Sequence, residues 1–132
     1  MANVLYPSAK QYMLSANLDM PSEDIKAALI DTNDVTYSAA HTVYSDISAG
    51  VVGTPVILTG KSITGGVFDS DDPTWTGVSG DQFEAIVLYL DSGVAGTSPL
   101  IAWYDTSITG LPMTPVSGNI TFLVDASGWF GL

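Results

Sequence analysis

The chain of 132 residues contains no cysteine. Without thiols it cannot form a disulfide or a thiolate metal site, and cysteine-based catalysis is excluded. A chain of this length can bury a stable core without such crosslinks. It also has no apolar run of about 18 residues that could span a bilayer, and no N-terminal pattern of a signal peptide. We therefore predict a single domain over residues 1–132, made in the cytoplasm without a targeting segment.

Positive charge is scarce. Arginine is absent, and three lysines (Lys10, Lys26 and Lys61) stand against 14 acidic residues, which gives a formal net charge of −11. Nucleic acids and anionic membrane surfaces are bound mainly through lysine and arginine. Because three scattered lysines cannot build such a surface, the sequence predicts no nucleic-acid and no membrane partner.

Charge of either sign is also rare. Charged residues make up 13% of the chain, against about 25% in ordinary soluble domains. Hydrophobic residues make up 46%, and the mean hydropathy is +0.31. A lone soluble protein usually covers its surface with charged side chains. This composition favours a chain that contacts other subunits over much of its surface; the alternative is a monomer with a neutral polar surface.

Two segments have a helical pattern. Pro7 and the sequence that follows it predict a helix over about residues 8–17, with Ser8 and Gln11 forming a capping box. Apolar residues at helical spacing predict a second short helix around Ala39–Ile47.

The rest of the chain has the pattern of short strands separated by turns. Apolar runs predict strands at 25–30, 56–58, 63–68, 83–90, 100–104 and 120–124. Gly60 suits a type II′ hairpin turn between the second and third of these. The run 83–90 is apolar on both faces except for Glu84, which predicts a strand deep in the fold. We predict a mainly β fold, an antiparallel β-sandwich or barrel of about seven strands with one or two short helices.

No pattern predicts a catalytic, cofactor or metal site. The only histidine, His41, lacks a nucleophile motif such as Gly-x-Ser-x-Gly. The acidic segment Asp69–Asp72 does not continue with the spacing of a calcium-binding EF-hand loop. Glu84 and Asp81 could be paired carboxylates of a glycosidase, but Glu84 better fits the exposed start of a strand. We predict that the protein is not an enzyme.

Three aromatic residues are candidates for contact with a partner. Trp75, Trp129 and Phe130 stand near turns or the chain end, whereas Trp103 lies within an apolar strand. Tryptophan is enriched at protein interfaces, so we predict that these three residues contribute to one. A sugar-binding face that includes Trp75 is the alternative.

Several blocks of the sequence resemble small virion proteins of tailed bacteriophages. The blocks are Ile25–Thr32, Tyr37–His41, Ser45–Ile47, Val78–Gln82, Ala85–Tyr89, Leu100–Ala102 and Gly110–Pro112. The resemblance implies a structural role in the virion, with a capsid decoration or cement protein as the first expectation. The expected partners are the major capsid protein and further copies of this chain, as a trimer on the capsid surface. A tail or neck component and a carbohydrate-binding module on the virion are the alternatives.

Overall fold

The computed structural model describes residues 3–106 and 110–132, and within them the protein is mainly β, with 37% strand and 13% helix. The described strands are β1 (Val4–Leu5), β2 (Ile25–Ile30), β3 (Val51–Ile57), β4 (Ser62–Thr64), β5 (Val67–Asp69), β6 (Thr74–Val78), β7 (Ala85–Leu90), β8 (Leu100–Tyr104), β9 (Gly118–Thr121) and β10 (Phe130–Gly131). The α-helix α1 spans Pro7–Leu14, and short 3₁₀ turns lie at Tyr44–Asp46, Ser48–Gly50 and Ala95–Thr97. The predicted mainly β class is confirmed.

The strands form one large and two small antiparallel sheets. The large sheet has the order β1-β8-β7-β2-β3, and the smaller sheets have the orders β10-β5-β4 and β6-β9. Strand β7 lies between β8 and β2, and all six of its residues are buried. The deep position predicted for this apolar run is confirmed.

The large sheet carries a hydrophobic core on each face, because alternate residues of a strand point to opposite sides. On one face, side chains of β2 and β7 pack against the two smaller sheets, including Phe68 and Trp75. On the other face, they pack against α1 and the segment 35–47, including Ala9 and Ile47. The arrangement is sandwich-like, in agreement with the sequence prediction.

The helix α1 begins one residue earlier and ends three residues earlier than predicted. Pro7 stands in its first turn, as its fixed φ favours, and Tyr6 is the N-cap without a side-chain hydrogen bond. Ser8 is therefore inside the helix, and the predicted capping box with Gln11 is wrong. The helix ends because Ala16 is left-handed at φ 58, and the Asn17 amide donates to the Tyr12 carbonyl at 2.8 Å.

The second predicted helix, around Ala39–Ile47, is wrong. This segment instead holds a turn at residues 38–41 and the 3₁₀ turn Tyr44–Asp46. The Asp46 carboxylate accepts hydrogen bonds from the Thr42 and Val43 amides at 2.8 and 3.2 Å. These bonds lower the pKa of Asp46 and hold the segment in a turn, which competes with a helix for the same amides.

The predicted hairpin at Gly60 is also wrong, although Gly60 has the positive φ of 61 that its role required. Strand β3 pairs with β2, and β4 pairs with β5, so the segment around Gly60 crosses between two sheets. The hairpin lies one turn later, where Gly65 and Gly66 join the paired residues Thr64 and Val67. Both glycines have positive φ, at 60 and 79, as a two-residue type I′ turn requires.

Among the described residues, no helix has the length and apolar character needed to cross a membrane.

Candidate interface surface

The structure places Trp75 in the core, which corrects its predicted place at an interface. Its side chain is 1% exposed, and its indole N–H donates to the Ala27 carbonyl of the large sheet at 3.2 Å. Trp75 stands in β6, where it faces inward between exposed neighbours Thr74 and Thr76. In this conformation its side chain has no surface to offer to a subunit or to a sugar.

Trp129 is likewise buried, whereas Phe130 reaches the surface. The Trp129 side chain is 6% exposed, and its indole N–H donates to the Ser70 hydroxyl at 2.8 Å. Its carbonyl accepts from the Tyr104 hydroxyl at 2.9 Å. Trp129 thus anchors the chain end to the core, which corrects its predicted role as an interface anchor. Phe130 is half-buried, with its ring 5.6 Å from that of Phe68, and stays a predicted interface residue.

Phe130 borders an apolar groove of about 250 Å³ between α1, β4 and β10. We call this surface the α1–β4 groove. Its apolar lining consists of Met13, Leu18, Met20, Pro21, Ile63, Phe68, Phe130 and Leu132. Of these, Leu132 is 80% exposed and Ile63 is 48% exposed. Exposed aliphatic side chains gathered around one groove are typical of an interaction surface.

The α1–β4 groove is built from elements that carry no acidic residue. The first 18 residues contain Lys10 and no acidic residue, although the whole chain has 14. No acidic residue stands in α1, β4 or β10, and Asp19 is the ionisable residue in the groove lining. Because the centre of a protein interface is depleted of charge, this distribution suits the groove to contact with another protein.

Strand β4 adds a backbone edge beside the groove. It pairs with β5 on one side and is the outer strand of its sheet, and all three of its residues are exposed. An outer strand presents N–H and C=O groups that can pair with another chain. Lys61 precedes this strand, and its ammonium group donates to the Glu23 carbonyl.

Apart from Phe130, the groove could not be predicted from the sequence. Its residues come from three segments that are far apart in the chain, so no local pattern joins them. The one local signal is Ile63, an aliphatic residue between Ser62 and Thr64 in a strand whose other residues are polar.

Glu84 and Asp81, the candidate carboxylates of a glycosidase, have different contacts. Glu84 immediately precedes β7, as predicted, and its Oε1 accepts from the Thr32 amide and hydroxyl, both at 2.9 Å. It is half-buried rather than fully exposed. Asp81 instead lies with Asp31 and Asp34, whose carboxylate oxygens are all within 4.8 Å of one another.

This acidic trio was not predicted from the sequence. Asp31 is buried, and its Oδ1 accepts from the Asn33 amide at 2.8 Å, while Asp34 and Asp81 are exposed. Calcium takes six to eight oxygen ligands, more than three carboxylates supply by single atoms. The trio alone therefore assigns no metal to the protein.

In the segment Asp69–Asp72, Asp69 ends β5 and the residues after it form a loop in which two carboxylates accept amide hydrogen bonds. Oδ1 of Asp69 accepts from the Ser70 amide at 2.8 Å, and Oδ1 of Asp72 accepts from the Val124 amide at 2.8 Å. His41 is half-buried in a turn rather than on a helix, and its amide donates to the Ser38 carbonyl at 3.1 Å.

Comparisons with known proteins add no relative to this description. No protein-family model matches the chain, and no curated protein matches it at a significant level.

Proposed function

We propose that the protein is a structural subunit of a bacteriophage virion, and specifically a capsid decoration or cement protein that binds the major capsid protein. The observation that carries the proposal is the exposed, charge-poor α1–β4 groove on a chain with few charged residues. The resemblance of its sequence blocks to small virion proteins of tailed bacteriophages is the reason for proposing that the assembly is a phage particle. The sandwich-like fold is compatible with this role and does not by itself select it.

The proposed oligomer uses the α1–β4 groove as the contact between copies. Each copy carries a net charge of −11, so copies repel one another unless they meet where acidic residues are scarce. The groove is such a place. Lys26 is paired with Asp91 at 2.8 Å and the Lys61 ammonium donates to the Glu23 carbonyl, whereas the exposed Lys10 in α1 can approach acidic groups of a second copy. A closed ring such as a trimer is the expected form.

Two isoleucines offer a matched test of this contact. Ile63 in the groove is 48% exposed, and Ile57 in β3, outside the groove lining, is 47% exposed. We expect Ile63→Asp to weaken self-association at least tenfold, since it adds a charge to an apolar contact, and Ile57→Asp to leave it within about twofold. Sedimentation velocity over a concentration series measures both. A parent protein that stays monomeric throughout, or an equal effect of the two variants, would contradict the assignment.

A tail or neck component would use the same groove and differs only in the structure that it joins. The carbohydrate-binding alternative rests on the tryptophans and tyrosines, and the burial of Trp75, Trp103 and Trp129 removes these three from a sugar-binding face.

A further inference from the structure

A second surface feature lies away from the groove, at one end of the large sheet. It is a cleft of about 400 Å³, formed where β2 and β8 end and β7 begins. Its side chains are those of Thr32, Thr36, Tyr37, Glu84, Asp105 and Thr106, with Trp103 in the wall. Its two carboxyl groups are those of Glu84 and Asp105, and none of the three lysines is in its lining. The cleft therefore combines hydroxyl groups, negative charge and aromatic rings.

Glu84 is held in place with one oxygen left for a ligand. Its Oε1 accepts two hydrogen bonds from Thr32, from the amide and from the hydroxyl, each at 2.9 Å. Within residues 3–106 and 110–132, its Oε2 has no hydrogen bond or ion pair. A carboxylate fixed in this way is preorganised, so a ligand does not have to immobilise it.

The aromatic residues of the cleft wall are packed against one another. The ring of Tyr37 lies 5.2 Å from that of Tyr6 and 6.0 Å from that of Trp103. The Trp103 indole donates to Oδ2 of Asp105 at 2.9 Å. Burial acts to raise the pKa of Asp105, but hydrogen bonds, among them those from Trp103 and Thr106, hold it below its usual range. Asp105 is thus ionised, but it already has several partners and positions the indole rather than offering a free carboxylate to a ligand.

We propose that this cleft binds the guanidinium group of an arginine side chain presented by a partner protein. A guanidinium is planar and cationic, so it can donate to the Glu84 carboxylate and to threonine hydroxyls while it lies against the ring of Tyr37. The Glu84 carboxylate disfavours an anion, and a charge-assisted hydrogen bond to it favours a cation over a neutral polar group. This chain contains no arginine, so neither it nor a second copy can supply the ligand.

Arginine binding by the cleft does not depend on the proposed function, because it follows from the chemistry of the cleft and not from the assembly that the protein joins. The probe is Nα-acetyl-argininamide, followed by NMR chemical shifts of the labelled protein. Its neutral analogue Nα-acetyl-citrullinamide has nearly the same shape without the charge. The variant Glu84→Gln keeps an oxygen for Thr32 and loses the charge, and Glu23→Gln is the matched control, since Glu23 is the only other glutamate.

We expect saturable binding of the arginine probe, with shifts at Tyr37 and Thr36. Binding should weaken at least tenfold in Glu84→Gln and for the citrulline analogue, and should stay within about twofold in Glu23→Gln. No saturable binding, equal binding of the two probes, or an unchanged Glu84→Gln would overturn the proposal. The comparison of probes uses the parent protein, so it remains decisive if a variant does not fold. Much tighter binding of free arginine would also overturn it, since the ligand would then be the amino acid.

Discussion

Trp75→Ala is expected to destabilise the protein by about 3–5 kcal/mol, the usual cost of removing a buried tryptophan. The side chain is 1% exposed and is one of the largest in the core between the large sheet and the two smaller ones. The change also removes the indole donor of the Ala27 carbonyl. Because small domains have a total stability of about 5–15 kcal/mol, the variant should be near the limit of folding. Urea unfolding, extrapolated to water, measures the difference.

The matched control for this prediction is Val116→Ala. Val116 is 86% exposed, so its truncation should change the free energy of unfolding by no more than about 0.5 kcal/mol. An equally small effect of Trp75→Ala would contradict the buried position of this residue. Such a result would instead favour the surface position of Trp75 that the sequence predicts.

Gly128→Ala is expected to cost about 2–4 kcal/mol, for two separate reasons. Gly128 has a φ of +87, a conformation that a residue with a Cβ adopts only with strain. An added Cβ would also lie 2.6 Å from Cγ1 of Val67 and 2.8 Å from the Phe68 carbonyl oxygen. The variant should push the segment before β10 away from β5, and so disturb the hydrogen bond from the Trp129 amide to Phe68.

Two other glycines separate the two causes. Gly65 has a φ of +60 with nothing within 4 Å of an added Cβ, so Gly65→Ala should show the backbone strain alone, about 1–2 kcal/mol. Gly96 has neither a positive φ nor a close neighbour, and Gly96→Ala should be nearly neutral. Thermal and urea unfolding of the three variants should give this order. If Gly128→Ala lowers the free energy of unfolding no more than Gly96→Ala does, this would contradict the close contact of Gly128 with Val67 and Phe68.

The elements that could be predicted from the sequence are those whose apolar pattern is continuous and closed by local signals. The predicted strands 25–30 and 100–104 coincide with β2 and β8. Each is a mostly apolar run that is buried on both faces, interrupted in β2 by the half-buried Lys26, and an aspartate follows each run. The helix α1 was found because Pro7 marks its start, and the mainly β class follows from the number of such runs.

The elements that could not be predicted depend on partners far away in the chain. The positive φ of Gly60 suits a hairpin, but the choice between pairing β3 with β4 or with β2 is made by distant residues. The turn around Asp46 replaced a helix because a carboxylate took the amides of Thr42 and Val43. The sequence predicts a surface position for Trp75 because its neighbours are turn residues. No local pattern indicates that its indole N–H donates to the distant Ala27 carbonyl.

The same limit applies to the candidate sites. The α1–β4 groove joins Met13, Ile63 and Leu132, and the cleft joins Thr32, Tyr37 and Glu84. Glu84 stands out in the sequence because it interrupts an apolar run, but the sequence does not indicate its partners. Its contact with Thr32 comes from the pairing of β2 and β7, which brings the end of one strand beside the start of the other.

The proposal of a capsid decoration protein is tested most directly by counting the protein in purified particles. Quantitative mass spectrometry of heads, separated from tails, gives the number of copies of this chain relative to the major capsid protein. We predict a fixed ratio that is the same in independent preparations and persists through further purification, because a decoration protein occupies equivalent positions on the capsid lattice. Absence of the chain from purified heads would contradict the proposal.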